Sequence, residues 1–206
     1  MVKNDKNIEK VRHELMDLSH FLGSESYQLA ILGEGNSSAK VIDESGEKTF
    51  LVKASGTCLA TMKEDEFVHL KLESVMELLD KKNPSDEIIQ KLYKTAMINP
   101  DQVLRPSVES LLHAICLRIA GVNFVGHTHP VSINILTCSD GFPENLKGRI
   151  YPDEIVVLGT NSIFVPYTDP GIPLAKEINC SINEFMKNYQ QIRLLSLKNY
   201  YLVKLK

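Results

Sequence analysis

Segments with helical spacing and segments with strand-like character alternate along the whole 206-residue chain. Residues 7–22 carry apolar side chains at helical spacing and lead into Gly23, whereas residues 37–43 and 48–54 are typical of two strands joined by a turn at Gly46. No internal repeat is visible in the sequence. Because helices and sheets each bury one face against another layer, this alternation predicts an α/β or α+β fold with a central sheet covered by helices.

The rest of the chain continues the alternation. Apolar spacing and capping residues predict further helices over residues 61–79, 85–97, 107–121, 131–138 and 171–189. Strands are predicted from residue 122 into two histidines and over residues 154–159, 163–167 and 192–206. A chain of this length is expected to build one hydrophobic core, so residues 1–206 are predicted to form a single domain.

The composition argues against several classes of protein. A net charge of −3 disfavours nucleic acid as the main partner, because phosphate binding needs a concentrated basic surface. The N-terminus lacks the apolar region of a signal peptide, and the four cysteines are widely spaced without a C-x-x-C pair. No apolar run reaches the roughly 18 residues of a membrane span. We therefore expect a reduced, cytoplasmic protein with no membrane partner.

Two histidines stand one residue apart in the segment NFVGHTHP. On a strand, alternate residues point to the same face, so His127 and His129 present their imidazoles side by side. Neutral imidazole is a common zinc ligand, and a catalytic zinc site typically has three protein ligands and one open position. From these residues alone, the pair fits either one metal ion or two partly buried histidines held by hydrogen bonds.

Glu109 follows the segment RPSV in the predicted first turn of a helix, where the helix dipole stabilises a carboxylate. Glu109 and His113 are four residues apart and share one helix face, which can turn toward the histidine strand. In that position Glu109 would ligate a metal or transfer protons beside it. His113 is either a third nitrogen ligand or a histidine of the core.

Two loops rich in glycine and small polar residues precede these positions. The first is GEGNSSAK at residues 33–40, which lacks the spacing of a P-loop, and the second is KASGT at residues 53–57. Backbone amides and short hydroxyl side chains in such loops bind anions, and Lys53 adds a positive charge. Each loop alone is also explained by a plain turn. Two of them beside a histidine pair predict a phosphorylated or polyhydroxylated ligand.

The order of these motifs resembles the class II aldolase and adducin family. The motifs are GEGNSS, KASGT, RPSVE, HTHP and VPYTDPG, and the resemblance covers the chain up to about residue 186. It implies a three-layer α/β/α sandwich with a central, mainly antiparallel sheet. It also implies a homotetramer with active sites at subunit interfaces, with Zn²⁺ as the cofactor.

The resemblance also implies roles for individual residues. His127 and His129 would be zinc ligands, with Glu109 as the catalytic carboxylate and a further metal-ligand candidate, and Tyr151 would donate a proton from a neighbouring subunit. The phosphate or hydroxyl end of the substrate would be lined by Gly35, Asn36, Ser55, Gly56 and Ser107. The implied reaction is reversible retro-aldol cleavage of a small sugar phosphate or hydroxy-carbonyl compound in carbohydrate metabolism.

The sequence departs from the family pattern at two places. Val108 stands directly before the glutamate, where the family usually has a serine, so one hydroxyl of the implied phosphate site is missing. No histidine follows His129, and Tyr200 or Tyr201 falls where the family has its third zinc-binding histidine. A phenol is a poor zinc ligand at neutral pH because its pKa is about 10. We therefore expect a C-terminus that is truncated or altered by a frameshift.

Other functions remain open beside the zinc-dependent aldolase. A sugar-phosphate 4-epimerase similar to this family would break and remake the same carbon–carbon bond without releasing two fragments. A non-catalytic protein like adducin would keep the fold without a working metal site. A degenerate family member would lack the third metal ligand and with it the activity.

Overall fold

A computed structural model describes residues 2–42, 45–189, 194–197 and 200–205, and a sheet lies at its centre. Over those residues the sheet has seven strands, namely β1 (Asn36–Ile42), β2 (Lys48–Lys53), β3 (Phe67–Lys71), β4 (Phe124–Thr128), β5 (Ile163–Val165), β6 (Leu194–Leu197) and β7 (Tyr200–Leu205). Their spatial order is β3-β2-β1-β4-β7-β6-β5. All neighbouring strands are antiparallel except β5 and β6, which are parallel, so the prediction of a mainly antiparallel sheet is confirmed.

Helices pack on both faces of this sheet. In the described residues they are α1 (Val2–Gly23), α2 (Leu72–Met76), α3 (Asp86–Ala96), α4 (Ser110–Arg118), α5 (Val131–Thr137), α6 (Pro152–Leu158) and α7 (Ile172–Asn188). The helices predicted before Gly23, after Ser85, and over residues 131–138 and 171–189 are confirmed, with α1 starting earlier than predicted. Within this set, no helix is both long enough and apolar enough to pass through a bilayer.

Two clusters of buried apolar side chains lie on opposite faces of the sheet. In β2, Phe50 and Val52 belong to the larger cluster, whereas Leu51 between them belongs to the smaller one. Successive strand residues point to opposite faces, which places the two clusters on the two sides of the sheet. The smaller cluster includes Leu15 of α1, and the larger one includes Leu111 of α4. The predicted three-layer α/β/α architecture is therefore confirmed.

The predicted helix over residues 61–79 is wrong as a continuous element. The chain instead forms a 3-10 turn at Glu64–Glu66, then β3, α2 and a second 3-10 turn at Glu77–Asp80. The capping box predicted for Thr61 and Glu64 is replaced by a hydrogen bond two residues later, in which the Lys63 N–H donates to the Glu66 carboxylate at 2.7 Å.

The helical spacing of this segment has a different cause. In β3, Phe67 is buried in the smaller cluster, while Val68 and Leu70 are buried in the larger one. A strand covered on both faces carries apolar residues on both, and this pattern also satisfies a helical repeat. Pairing of Phe50 in β2 with Leu70 decides in favour of the strand.

The predicted strand over residues 154–159 is also wrong, because these residues form most of α6. Pro152 occupies the first turn of α6, and two acidic residues follow it, a sequence that favours helix initiation. The β-branched residues Ile155, Val156 and Val157 are 43%, 69% and 66% exposed, so they do not enter the sheet. The strand predicted next, around Ile163, is confirmed as β5.

The strand predicted over residues 192–206 is present as two strands, β6 and β7. Strand β7 lies between β4 and β6, and its Tyr201 is the register partner of Thr128. Residues 192, 193, 198, 199 and 206 of that prediction lie outside the described residues. The expectation that residues 1–206 form one domain stays a prediction.

A first prediction concerns Gly23, where α1 ends against the backbone that precedes β3. An ideal Cβ on Gly23 would lie 2.2 Å from the Ala60 nitrogen, and backbone cannot give way as a side chain can. Gly23→Ala should therefore lower the free energy of unfolding by about 2–3 kcal/mol, measured by urea denaturation. In Gly141→Ala the added Cβ would meet the Asn145 side chain at an ordinary 3.5 Å, so this control should change stability by less than about 0.5 kcal/mol.

His69 in β3 gives the fold a dependence on pH. Burial, assisted by the positive charge of Arg12, lowers the pKa of its imidazole from 6.5 to about 4, and its Nε2 lies 2.8 Å from Thr49 Oγ1. As the pH falls, the unfolded chain therefore binds this proton before the folded chain does. The stabilising contribution of neutral His69 is complete above pH 6.5 and is lost as the pH falls toward 4.

His69→Gln removes this titration and retains a group that can hydrogen-bond Thr49. Between pH 7 and pH 5 the unmodified protein should lose roughly 1–2 kcal/mol more stability than the variant, measured by urea denaturation at both pH values. The control is His13→Gln, at a histidine whose side chain is 66% exposed. An unchanged pH dependence in His69→Gln would contradict the prediction.

Candidate functional site

The end of β4 brings His127 and His129 together. Their ring centroids are 4.7 Å apart, with 35° between the ring planes, and the residues are 1% and 8% exposed. The N–H of His129 donates to the Leu29 carbonyl at 2.8 Å, which fixes the backbone directly after the strand. The alternation of side chains along β4 thus produces two adjacent, nearly buried imidazoles.

Glu109 reaches this pair from the start of α4. It is the N-cap residue of the helix, with φ −90° and ψ 1°, so its predicted position within the first turn is wrong. The N–H of Glu109 donates to Ser107 Oγ at 3.2 Å, and Glu109 Oε2 lies 3.1 Å from His127 Nδ1. Because the N-cap backbone departs from the helical path, the carboxylate is directed to the strand beside the helix.

The surroundings of Glu109 keep it ionised. Burial raises the pKa of its carboxyl, but the interactions with His127, His113 and His129 act in the opposite direction, and together they lower this pKa to about 2. Burial, with a smaller contribution from His127, lowers the pKa of the His129 imidazole to about 4. At neutral pH the site therefore holds a carboxylate beside a neutral His129.

His113 lies one helical turn after Glu109 and is fully buried. Its Nδ1 is 2.7 Å from Ser38 Oγ in β1, and its ring centroid is 6.3 Å from that of His127. Burial lowers the pKa of its imidazole to about 3, so the ring is neutral. Its contact with Ser38 ties α4 to the sheet, which favours the core position among the two alternatives for this histidine.

The first glycine loop packs directly against the histidine strand. Asn36 begins β1 and is the register partner of His127. Gly35 has a φ of +80°, and an ideal Cβ on it would lie 2.8 Å from the His127 carbonyl oxygen, so only glycine fits here without strain. Asn36 Nδ2 is buried and has no hydrogen-bond partner among the described residues. The side-chain amide of Asn36 is therefore a buried hydrogen-bond donor next to the histidines.

The second loop approaches the same region from the end of β2. Ala54 forms an isolated antiparallel bridge with Pro106, and the Ser55 N–H donates to the Arg105 carbonyl at 2.9 Å. This bridge places the loop that contains Ser55 and Gly56 beside the segment 105–107, which leads through Ser107 to Glu109. Both glycine loops and the start of α4 therefore converge on the histidine end of β4.

Two charged side chains complete this region. Lys53 ends β2, is only 4% exposed, and donates from Nζ to the Gly33 carbonyl at 3.4 Å. Glu34 Oε2 lies 3.5 Å from His129 Nδ1. Lys53 is expected from the sequence as part of the KASGT loop. Glu34 is not expected from the sequence, because nothing marks it there except its place inside a glycine loop. Its contact with His129 depends on the long-range pairing of β1 with β4.

The three tyrosines named from the sequence lie in different parts of the fold. Tyr151 is the N-cap residue of α6 and is 58% exposed, and within the described residues no contact joins it to the histidine pair. The backbone of Tyr201 pairs with that of Thr128, which is the residue between the two histidines in the sequence. Tyr200 pairs with Leu197. The side chains of both C-terminal tyrosines lie outside the described residues.

The histidine pair fits a zinc ion in the chemistry of its donors. In His127 and His129, Nδ1 lies 3.1 Å and 3.5 Å from a carboxylate oxygen, an arrangement that orients a metal-binding imidazole, and Nε2 would be the atom that coordinates the ion. Across the part of the chain that the structure describes, however, no three His, Cys, Asp or Glu side chains are grouped so as to hold a metal. The pair supplies two nitrogen donors of the three protein ligands typical of catalytic zinc.

Comparison of sequences identifies relatives of this chain. The family described as Class II Aldolase and Adducin N-terminal domain matches residues 13–200. A Bacillus subtilis (strain 168) protein named uncharacterized oxidoreductase YuxG is 32% identical over 169 residues, or 80% of this chain. The match covers 22% of that protein, so the chain spans about a fifth of the length of this relative.

Solved structures share the fold. The N-terminal class II aldolase domain of a conserved protein from Thermoplasma acidophilum is 29% identical, with a TM-score of 0.69, over 92% of this chain and 81% of that one. A structure of L-fuculose 1-phosphate aldolase is 17% identical, with a TM-score of 0.64, over 96% of this chain and 76% of that one. Motif order, sequence match and fold agree, and the chain belongs to the class II aldolase and adducin family.

Proposed function

We propose that the protein is a zinc-dependent aldolase that reversibly cleaves a small sugar phosphate or hydroxy-carbonyl compound. The observation that carries the proposal is the pair of adjacent imidazoles at the end of β4 with the Glu109 carboxylate 3.1 Å from His127. Family membership supports a lyase of this class. The name of the related L-fuculose 1-phosphate aldolase suggests a phosphorylated sugar as the first substrate to assay.

His127 and His129 would hold the zinc ion, with Glu109 as the remaining candidate ligand. A bound zinc ion supplies Lewis-acid polarisation of the substrate carbonyl and hydroxyl groups. The carboxylates of Glu109 and Glu34 orient the two imidazoles through Nδ1. Because Glu109 Oε2 already faces Nδ1 of His127, its geometry supports an orienting and proton-transferring role more directly than coordination.

Proton transfer is the proposed catalytic role of Glu109. In the direction of carbon–carbon bond formation, its ionised carboxylate removes a proton from the carbon beside the carbonyl of the donor. The resulting carbon nucleophile attacks the acceptor aldehyde, whose oxygen then takes a proton. Tyr151 from a neighbouring subunit is the proposed donor of that proton, and its exposed position supports a role across an interface. Cleavage is the same sequence in reverse.

The two glycine loops would hold the phosphate or hydroxyl end of the substrate. The supporting observation is that the Gly35–Asn36 turn and the Ser55–Gly56 turn converge on the strand end that carries the histidines, with Ser107 next to Glu109. The buried, unpaired Nδ2 of Asn36 is available as a donor to such a ligand. Its desolvation is otherwise unfavourable, which supports a bound polar group in the working protein.

We further propose a cytoplasmic homo-oligomer, a tetramer by analogy with the family, that acts in carbohydrate metabolism and has no nucleic acid or membrane partner. The exposed apolar residues of α6, Ile155, Val156 and Val157, support an interface between copies, since such contiguous residues are favourable to cover. The oxidoreductase named among the relatives is far longer than this chain, so its name carries no proposal for this site.

The zinc proposal predicts the metal content of purified protein. The unmodified protein should carry near-stoichiometric zinc by elemental analysis after zinc is supplied, and His127→Ala should lower the zinc content or affinity by roughly tenfold or more, because one of two nitrogen donors is lost. His13→Ala, at a side chain 66% exposed on α1, is the matched control and should retain zinc. Unmodified protein that binds no zinc would contradict the proposal.

The role of Glu109 predicts a separation of metal binding from catalysis. Glu109→Gln should retain zinc and lower the rate of L-fuculose 1-phosphate cleavage, or of whichever substrate a screen of sugar phosphates identifies, by roughly 10²–10⁴-fold. The control is Glu14→Gln on an exposed part of α1. Loss of zinc together with activity would instead make Glu109 a ligand. Analysis of products separates an aldolase, which releases two fragments, from an epimerase, which retains the carbon number.

A further inference from the structure

His113 is a polar residue at a position of α4 where the helix is otherwise apolar. It is fully buried, and Leu112 and Ala114 on either side of it are buried as well. Its Nδ1 lies 2.7 Å from Ser38 Oγ in β1. A leucine would fill such a position without the cost of removing two ring nitrogens from water. A specific polar contact at this depth therefore indicates that the placement of α4 on β1 matters, because a buried hydrogen bond is made in only one arrangement.

Two hydrogen bonds of His113 link β1 to Glu109. Its side chain contacts Ser38, and its backbone N–H donates to the Glu109 carbonyl at 3.1 Å. The ionised carboxylate of Glu109 in turn accepts from His127 Nδ1, also at 3.1 Å. Strands β1 and β4 pair directly, with Ser38 opposite Val125, so these contacts form a closed ring from β1 through α4 to β4 and back to β1. The Glu109 carboxylate lies within that ring.

The partners of His113 determine which of its nitrogens carries the proton. Burial lowers the pKa of the imidazole, so the ring is neutral and has a single N–H group. Within the described part of the chain, Ser38 Oγ has no second hydrogen-bond partner, and His113 Nε2 is buried with none. A proton on Nδ1 would leave two groups unpaired, the Ser38 hydroxyl hydrogen and the Nε2 lone pair, whereas a proton on Nε2 leaves only the Nε2–H group unpaired. Because unpaired buried polar groups are unfavourable, Ser38 is the donor and Nδ1 the acceptor.

We propose that His113 is a positioning residue for Glu109. As the tautomer protonated on Nε2, it accepts a hydrogen bond from Ser38 and holds the first turn of α4 so that the Glu109 carboxylate stays against His127. The inference rests on the proposed function only in giving Glu109 a catalytic role, because the position of the carboxylate does not depend on the reaction. Without the contact to Ser38, the start of α4 is held less tightly on β1, and the carboxylate leaves His127 more often.

The tautomer is tested by NMR spectra of the ring nitrogens in the full-length chain, with its six histidines labelled with ¹⁵N. The variants His113→Asn and His127→Ala assign the signals of these two rings by their loss. His113 should show a protonated Nε2 and an unprotonated Nδ1. A protonated Nδ1 on His113 would overturn the proposal, because Ser38 would then accept the hydrogen bond.

The positioning role is tested by Ser38→Ala, which removes the hydroxyl group that anchors His113. The Nδ1–H proton of His127, which the Glu109 carboxylate shields, should exchange with solvent about tenfold faster in this variant. The matched control is Ser37→Ala, at the adjacent buried serine, whose Oγ lies 2.7 Å from Ser19 Oγ on the opposite face of the sheet. Exchange in this control should equal that of the unmodified protein. No acceleration in Ser38→Ala, or the same acceleration in both serine variants, overturns the proposal.

Two variants of His113 separate the hydrogen bond from the filling of space. His113→Asn places a side-chain oxygen near the position of Nδ1, where it can accept from Ser38, whereas His113→Leu fills the space without an acceptor. The asparagine variant should keep the exchange of the His127 proton within about threefold of the unmodified protein, and the leucine variant should accelerate it about tenfold. Equal acceleration in both folded variants contradicts the role. If His113→Leu does not fold, the two serine variants decide the outcome.

Failure of this inference and failure of the proposed function give different results. Where a substrate is cleaved, Ser38→Ala should lower kcat by about tenfold and leave KM unchanged, because the carboxylate acts in the transition state. If the exchange results hold but no sugar phosphate is cleaved, the positioning role stands and the proposed aldolase reaction fails. If Ser38→Ala cleaves a substrate as fast as the unmodified protein, the positioning role fails and the proposed aldolase reaction stands.

Discussion

The pairing of β1 with β4 determines where the residues of the candidate site lie. Asn36 faces His127 across this pair, so the loop before β1 and the end of β4 meet at one edge of the sheet. The close approach of Gly35 to the His127 carbonyl is possible only because glycine has no Cβ. Glu109 and the KASGT loop approach the histidines from other elements, and both lie around this meeting point of the loop before β1 and the end of β4.

The electrostatic character of the site follows from where the chain buries its charges. One carboxylate, Glu109, lies among three imidazoles and a buried ammonium, in a region where water screens charges weakly. Desolvation therefore keeps His113 and His129 neutral, while the interactions with the surrounding histidines lower the pKa of the Glu109 carboxyl and keep it ionised. Neutral imidazoles and a negative carboxylate are the forms needed for metal binding and for proton removal, so the fold sets both protonation states at neutral pH.

Residues whose signal is local were predictable from the sequence. The i, i+2 spacing of His127 and His129 indicated side-by-side imidazoles once β4 was recognised, and the apolar period of α7 indicated its helix. Predictions from local sequence patterns were wrong where the pairing of strands in the sheet determines whether a segment is a helix or a strand. Phe67–Lys71 satisfies a helical repeat but pairs with β2, and Ile155 belongs to a β-branched run that forms part of α6.

Contacts that depend on long-range register were beyond sequence reasoning. The 3.5 Å approach of Glu34 to His129 needs the β1–β4 pairing, and the Ser38–His113 contact needs α4 to pack over β1. The burial of Lys53 beside the Gly33 carbonyl is likewise a property of packing, which no spacing of residues reveals. Motif order compensated for part of this limit, because it indicated the family and with it the residues that converge.

The insertion of β7 between β4 and β6 has a consequence for how the chain reaches its native state during synthesis. The strand that carries the histidines emerges well before β7, since α5, α6, β5, α7 and β6 come between them in the chain. Until β7 is made, one edge of β4 has its backbone N–H and C=O groups unpaired, and such an edge readily pairs with foreign strands. Completion of the sheet therefore waits until β7 has been made, and before that point the open edge of β4 is exposed to association with other strands.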